Sequence, residues 1–316
     1  MLKRKAIRKI IITTFSILTI FIICIMPNNI TKNDLSLTPP IETTYVNNLE
    51  TYDVYLLNSN NYLVKTQILL NNKKMEEIIA QIIEYLTINN SGKIPNGLSP
   101  IIPNDTELKN IEVEDKVAIL DFNSKLLDIN QELEERLVEA LTFSLINIDG
   151  IEGIKIKIDG IELTQLPNSK KNLPPVLNRN IGINKVFEIE NIQNIEKVVL
   201  YYIDNIENKN YYVPVTKYLN DDREKIKIII ENLSGNYIYE PSLISLVNSN
   251  TELIDYDITE KTMRLNFNQE IFTNNQTLEE TTYLISKSVF ENYDLDKVIF
   301  QIEGKNIKEI ENNRVN

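Results

Sequence analysis

Between Asp105 and Phe122 the chain reads DTELKNIEVEDKVAILDF, and between Asn250 and Phe267 it reads NTELIDYDITEKTMRLNF. Apolar and polar positions alternate in both. Ala118, Leu120 and Phe122 fall on one face, as do Met263, Leu265 and Phe267. Period two is the signature of a half-buried strand, so each stretch predicts a hairpin. Its turn falls at Glu114-Asp115-Lys116 in the first and at Thr259-Glu260-Lys261 in the second. Ile119 in one copy is Arg264 in the other, which marks the outward side.

The offset relating Thr106 to Thr251 also relates Phe122 to Phe267, Leu133 to Leu278 and Ala140 to Ile285. One residue less relates Gly160 to Gly304. The repeat is therefore a whole small domain in tandem. Each copy opens on two apolar strands, 54–57 with 62–70 and 198–203 with 211–218. Pro214 suggests an edge strand, since Pro cannot donate to a ladder. A helix follows, with Met75, Ile78, Ile79, Ile82, Ile83 and Leu86 on one face of the first copy and Ile226, Ile229, Ile230 and Leu233 on one face of the second. Ser91-Gly92 and Ser234-Gly235 suit left-handed C-terminal caps. After the hairpin comes a second helix, with Leu133, Leu137, Ala140, Leu141 and Leu145, or Leu278, Thr282, Ile285 and Val289. The last strand is 154–158 or 298–302. This order predicts an α+β fold: two tandem copies of a small domain, each a mainly antiparallel sheet with two helices packed on one face, after an N-terminal membrane segment. The expected division is 1–9 a basic segment, 10–26 an anchor, 27–50 a tether, 51–166 the first domain, 167–195 a linker and 196–311 the second domain.

The N-terminus supplies the location. Lys3, Arg4, Lys5, Arg8 and Lys9 precede the apolar stretch 10–26, which ends at Pro27. That length is at the short limit for a bilayer span. The cations should stay in the cytoplasm, so the expectation is a cell-membrane protein with one N-terminal anchor and an extracytoplasmic body. Two forms of anchor stay open. One is an uncleaved transmembrane helix. The other is lipidation at Cys24, although Ile23 is bulkier than the small residue that normally precedes a lipidated Cys.

Composition narrows the chemistry. There is no His and a single Cys, which excludes Ser-His-Asp and Cys-His catalysis, Cys/His zinc sites and a disulfide within the chain. Net charge is −12, and the five cations of the first nine residues make the remainder more acidic still. Such a body repels phosphate backbones, so no nucleic-acid partner is expected. Neither a calcium loop nor a phosphate-cradling loop is present, and no catalytic, cofactor-binding or metal residue is assigned. A two-carboxylate glycosidase is not dismissed by composition. Asp121 is its best single candidate, but the equivalent residue is Asn266, which suits a hydrogen-bonding or turn role. Glu132, Glu134 and Glu135 read as a solvated helix face. Asp221-Asp222 before Arg223 reads as an N-terminal helix cap. Tyr201, Tyr202, Tyr211, Tyr212, Tyr237 and Tyr239 form a Tyr-rich set in the second copy. Such residues pack ordinary strands, and they also serve protein interfaces. An exposed sheet edge is another docking mode.

Gly97-Leu98, Ile102-Pro103, Thr106, Leu108, Asp121-Phe122, Leu141-Thr142 and Gly160, in that order, resemble the GerMN domain, the sporulation and spore germination domain. The second copy keeps Leu243, Thr251, Leu253, Asn266-Phe267 and Gly304. It departs at Val247-Asn248, where the Ile-Pro pair is lost, and at Leu284-Ile285. The resemblance implies a non-enzymatic envelope protein of sporulation or germination. The family's fold is similar to ring-building modules of secretion-like assemblies. That implies docking on other envelope or sporulation membrane proteins, or self-association. The alternative is a peptidoglycan-binding envelope module, and a wall hydrolase is a third reading.

Overall fold

The computed structural model describes residues 49–71, 74–89, 94–235, 243–272 and 278–312. The apolar stretch 10–26 with Cys24, residues 27–48 of the expected tether, Ser91-Gly92, Tyr237 and Tyr239 lie outside the described residues. Among the described residues no helix is long and apolar enough to cross a membrane.

The first copy runs β1 (Leu49–Leu57), β2 (Leu63–Asn71), α1 (Met75–Tyr85), β3 (Leu108–Glu114), β4 (Val117–Phe122), α2 (Glu134–Leu145), β5 (Gly153–Ile158) and β6 (Ile161–Glu162). A short strand β7 (Val186–Glu188) lies in the connecting segment. The second copy runs β8 (Ile195–Ile206), β9 (Lys209–Asn220), α3 (Lys225–Ser234), β10 (Leu243–Ile244), β11 (Leu253–Thr259), β12 (Thr262–Phe267), α4 (Leu278–Asn292), β13 (Lys297–Ile302) and β14 (Lys305–Glu311). The first strand thus starts inside the segment expected as tether, at Leu49.

The predicted hairpins form as β3–β4 and β11–β12, with Val113 opposite Ala118 and Ile258 opposite Met263. Ala118, Leu120, Phe122, Met263, Leu265 and Phe267 are all fully buried. Both hairpins carry a bulge at the same place, between Leu108 and Asn110 and between Leu253 and Asp255. In each copy the next strand adds in parallel, β5 on β4 and β13 on β12, and a final antiparallel strand completes a four-stranded sheet. That final strand, β6 or β14, is an addition to the predicted set.

The repeated TEL signature has a local cause. Asn123, directly after Phe122, donates from Nδ2 to the Asp105 carbonyl at 3.0 Å and accepts from the Glu107 N–H at 3.1 Å. Asn268 does the same to Asn250 and Glu252, at 2.9 and 3.2 Å. One amide in each copy therefore fastens the start of the hairpin to its end.

One expectation needs correction. The helices do not cover one face of a single sheet in each copy, because the elements of each copy divide between two sheets. The opening strands of both copies merge into a shared sheet of order β1-β2-β9-β8-β10, with β7 parallel to β9. The second helix of each copy is enclosed: α2 packs on β1 and β5, and α4 on β8, β13 and β14. Its second buried face escapes a hydrophobicity count because it is made of small hydroxyl residues. The Tyr55 N–H donates to Ser144 Oγ at 3.1 Å, and the Tyr201 N–H donates to Ser288 Oγ at 2.9 Å. Each helix thereby occupies main-chain donors along one strand of the shared sheet, groups that would otherwise invite foreign strands.

Pro214 is also corrected. Its strand β9 lies inside the sheet, between β2 and β8. The helix ends differ as well. Gly235 is extended, at φ −72° and ψ 148°, so it is not a left-handed cap. Helix α3 starts at Lys225 and its cap position is Glu224. Asp221 instead accepts the Arg223 N–H at 3.0 Å and pairs with that guanidinium ahead of the helix.

Candidate functional site at the junction of the repeats

The segment expected as a linker is built into the structure. Asn184 within it is fully buried, at φ 48°, a left-handed conformation that Asn tolerates. Its Oδ1 accepts the Leu63 N–H at 2.9 Å, and its Nδ2 donates to the carbonyls of Leu63 and Pro214, each at 2.8 Å. Main-chain pairing between β2 and β9 is confined to Lys65 opposite Tyr212. Beyond that point the Asn184 side chain joins the two repeats. This explains an interior Pro. In a strand the nitrogen and carbonyl of a residue face the same side, so the missing N–H of Pro214 faces the amide and not a neighbouring strand. Next along β9, the Thr216 N–H donates to the Ile183 carbonyl and the Ile183 N–H to Thr216 Oγ1, both at 2.9 Å.

Direct bonds also link the copies. Asn58 donates to Asp204 Oδ2 at 2.6 Å, both residues being buried. Arg179 donates to Asn147 Oδ1 at 2.8 Å, just past the end of α2, and stands 3.5 Å from Glu291 on α4. Gly97 has φ +78°, and a Cβ there would lie 2.3 Å from Cγ2 of Ile206 in the other copy. Only glycine satisfies both the conformation and the approach.

Three glutamates of α2 hold the connecting segment, which corrects the reading of Glu134 and Glu135 as a solvated face; Glu132 is exposed. Glu134 accepts the N–H groups of Asn168 and Ser169, each at 2.8 Å. Glu135 pairs with Lys171, and with Lys185 at 2.9 Å. Glu139 pairs with Lys185 at 2.9 Å and Arg136 at 2.8 Å, and accepts the Asn184 N–H at 3.0 Å. Burial pushes the Glu134 carboxyl up, but the Ser169 and Asn168 N–H groups outweigh it and hold it below the usual range. Burial likewise raises Glu135, and Lys171 and Lys185 more than offset it. For Lys185 burial favours the neutral amine, yet Glu139 and Glu135 raise it overall.

These directions fix a pH dependence. A carboxyl depressed in the folded state contributes stability above its unfolded value and loses it as pH falls through the folded one. The urea midpoint of the protein should therefore drop from pH about 5 downwards. Glu134→Gln should flatten that drop. An unaltered slope in the variant would show that acid sensitivity arises elsewhere.

The tyrosines fall into place by burial. Tyr201, Tyr202 and Tyr211 are 2%, 5% and 6% exposed. The Tyr201 hydroxyl donates to Glu291 at 3.0 Å, and the Tyr212 ring centroid is 4.7 Å from that of Tyr283. Burial pushes the hydroxyls of Tyr202 and Tyr212 up. Strands β8 and β9 lie within the shared sheet, so Tyr201, Tyr202 and Tyr211 have almost no surface to offer a partner. Asp121 is equally structural. Its Oδ1 accepts the Gly160 N–H at 2.9 Å, and Asn266 accepts the Gly304 N–H at 3.0 Å. A carboxylate and an amide do the same task in the two copies, pinning a turn glycine. Among the described residues no group of three His, Cys, Asp or Glu is placed to hold a metal ion.

Sequence reasoning missed Asn184, Arg179, Lys185 and Glu139. The readable signal was Glu139 itself, a charge between Val138 and Ala140 in a helix buried nearly all round.

The family model for sporulation and spore germination, called Germane, matches residues 53–164 and 199–308. Spore germination protein GerM of Bacillus subtilis (strain 168) is 28% identical over 267 residues, covering 80% of this chain and 71% of that protein. The solved structure of the tandem GerMN domains of the sporulation protein GerM from Bacillus subtilis superposes with a TM-score of 0.76 at 24% identity. It covers 84% of this chain and 98% of that one.

Proposed function

The chain belongs to the sporulation and spore germination family, and from that premise we propose that it is a non-enzymatic assembly module of the cell envelope in sporulation or germination, tethered to the membrane by its N-terminus with its body on the extracytoplasmic side. The observation that carries the binding role is the four-stranded sheet that each copy has besides its share of the common sheet. Among the described residues the end strands of these sheets, β3 and β6 in one copy and β11 and β14 in the other, each have one edge without a strand partner. Ile254, Ile258 and Ile307 are exposed on β11 and β14. An open edge with apolar side chains accepts a strand from another protein, with main-chain bonds giving affinity and side chains selectivity. Asp121, the one carboxylate singled out as a candidate acid, holds a turn glycine, and the α2 glutamates hold main-chain groups and ammonium ions. That use supports a binding protein over a hydrolase.

A photo-crosslinking residue at Ile258 in the full-length protein tests the reading in growing and in sporulating cells. Capture of other membrane-anchored sporulation proteins, in sporulating cells alone, is the expected result. Recovery of wall fragments alone, in both states, would replace the assembly role with wall binding.

A further inference from the structure

Where the ends of α2 and α4 approach the connecting segment there is a cavity of about 180 Å³. Its walls come from both copies: Tyr55 and Phe143 from the first, Val199, Tyr201 and Pro214 from the second. Arg179, Lys197 and Lys225 line it, against a single carboxylate, Glu291. In a chain of net charge −12, a pocket with two cations in excess runs against the composition.

Those cations are poorly neutralised. Arg179 stands 3.5 Å from Glu291, and Lys225 stands 3.4 Å from Glu196. Lys197 makes no ion pair among the described residues. Its ammonium donates to the main-chain carbonyls of Arg179 and Asn180 at 3.3 and 3.2 Å. By contrast Lys185 and Lys217, also in the junction, lie 2.9 and 2.7 Å from their carboxylates. Burial pushes Lys197 down, Lys225 adds to this, and Glu291 opposes it. A partly buried ammonium without a counter-ion is costly. An anion entering from solution would offset that cost.

We propose that this cavity binds a small organic carboxylate, with its charge on Lys197 and Lys225 and its apolar body against Tyr55, Phe143 and Val199. The volume suits one ring or a short branched chain, since an apolar cavity of about 150 Å³ holds benzene. Few polar groups at one end and apolar walls at the other are the usual make-up of such sites. Glu291 repels a second negative charge, so the pocket selects a monoanion over inorganic phosphate. The bound molecule touches both repeats and Arg179 between them, and so stabilises the junction.

The test is thermal unfolding of the full-length protein in sodium benzoate. Controls are sodium chloride and sodium phosphate at equal ionic strength, and benzyl alcohol. Benzoate should raise Tm with saturation, and the controls should not. Lys197→Gln, which keeps the aliphatic stem, should weaken the apparent affinity at least about tenfold. Should that variant fail to fold, Lys225→Gln serves the same comparison. A benzoate effect equal to that of chloride, or one unchanged in the lysine variant, would overturn the site. An equal effect of phosphate would overturn the organic class.

Discussion

Replacing Asn184 by alanine is expected to cost about 3–5 kcal/mol of stability. The side chain serves three buried main-chain groups, the N–H and carbonyl of Leu63 and the carbonyl of Pro214. A satisfied hydrogen bond contributes only about 1 kcal/mol net, but each buried group left without a partner costs about 1–3 kcal/mol. Pro214 cannot supply a compensating N–H, and β2 meets β9 at a single register position. Asn184→Asp is the informative control. Aspartate still accepts from Leu63 but cannot donate to either carbonyl, and it adds a charge beside Glu139. It should be at least as damaging as alanine at neutral pH. Urea unfolding of the two variants decides the matter: a loss under about 1 kcal/mol in both would mean that water replaces the amide.

Phe267→Ala should cost a similar amount, about 3–5 kcal/mol, since its ring is fully buried and its centroid is 6.2 Å from that of Phe300. The more telling expectation is where the loss is felt. Both copies belong to one compact unit and share a sheet. Damage to the hairpin of the second copy should therefore speed amide exchange in β4 of the first, measured near Leu120 by hydrogen exchange. Faster exchange confined to residues after 196 would show that the copies open independently.

Much of each repeat could be read from the chain. Period two found the β3–β4 and β11–β12 hairpins, and period 3.6 found α1 and α3, because each of these elements buries one face and shows the other to water. Period 3.6 found α2 and α4 as well, from one apolar face of each, but missed that their other face is buried too. In α2 the residues Thr142 and Ser144, and in α4 Ser288, look polar by composition but are spent on main-chain groups. Polar side chains with long-range partners carry no periodicity. Asn184 bonds to a residue 121 positions away, and nothing local marks an Asn in RNIGIN as different from its neighbours. Asp221 illustrates the opposite error: the residue type suited a helix cap, while Arg223, two residues on, captured it first.

Asn184 and Pro214 also bear on how such a duplicated gene can change. An amide that fills the gap in the sheet relaxes the demand for an N–H at position 214, so proline becomes permissible there. Once proline is fixed, the main chain at that position can no longer donate if the amide is lost. The order of substitutions therefore matters: with Pro214 in place, Asn184 cannot be lost without leaving the Leu63 and Pro214 main-chain groups unpaired. A change at either residue is therefore felt by the other, across the junction of the two repeats.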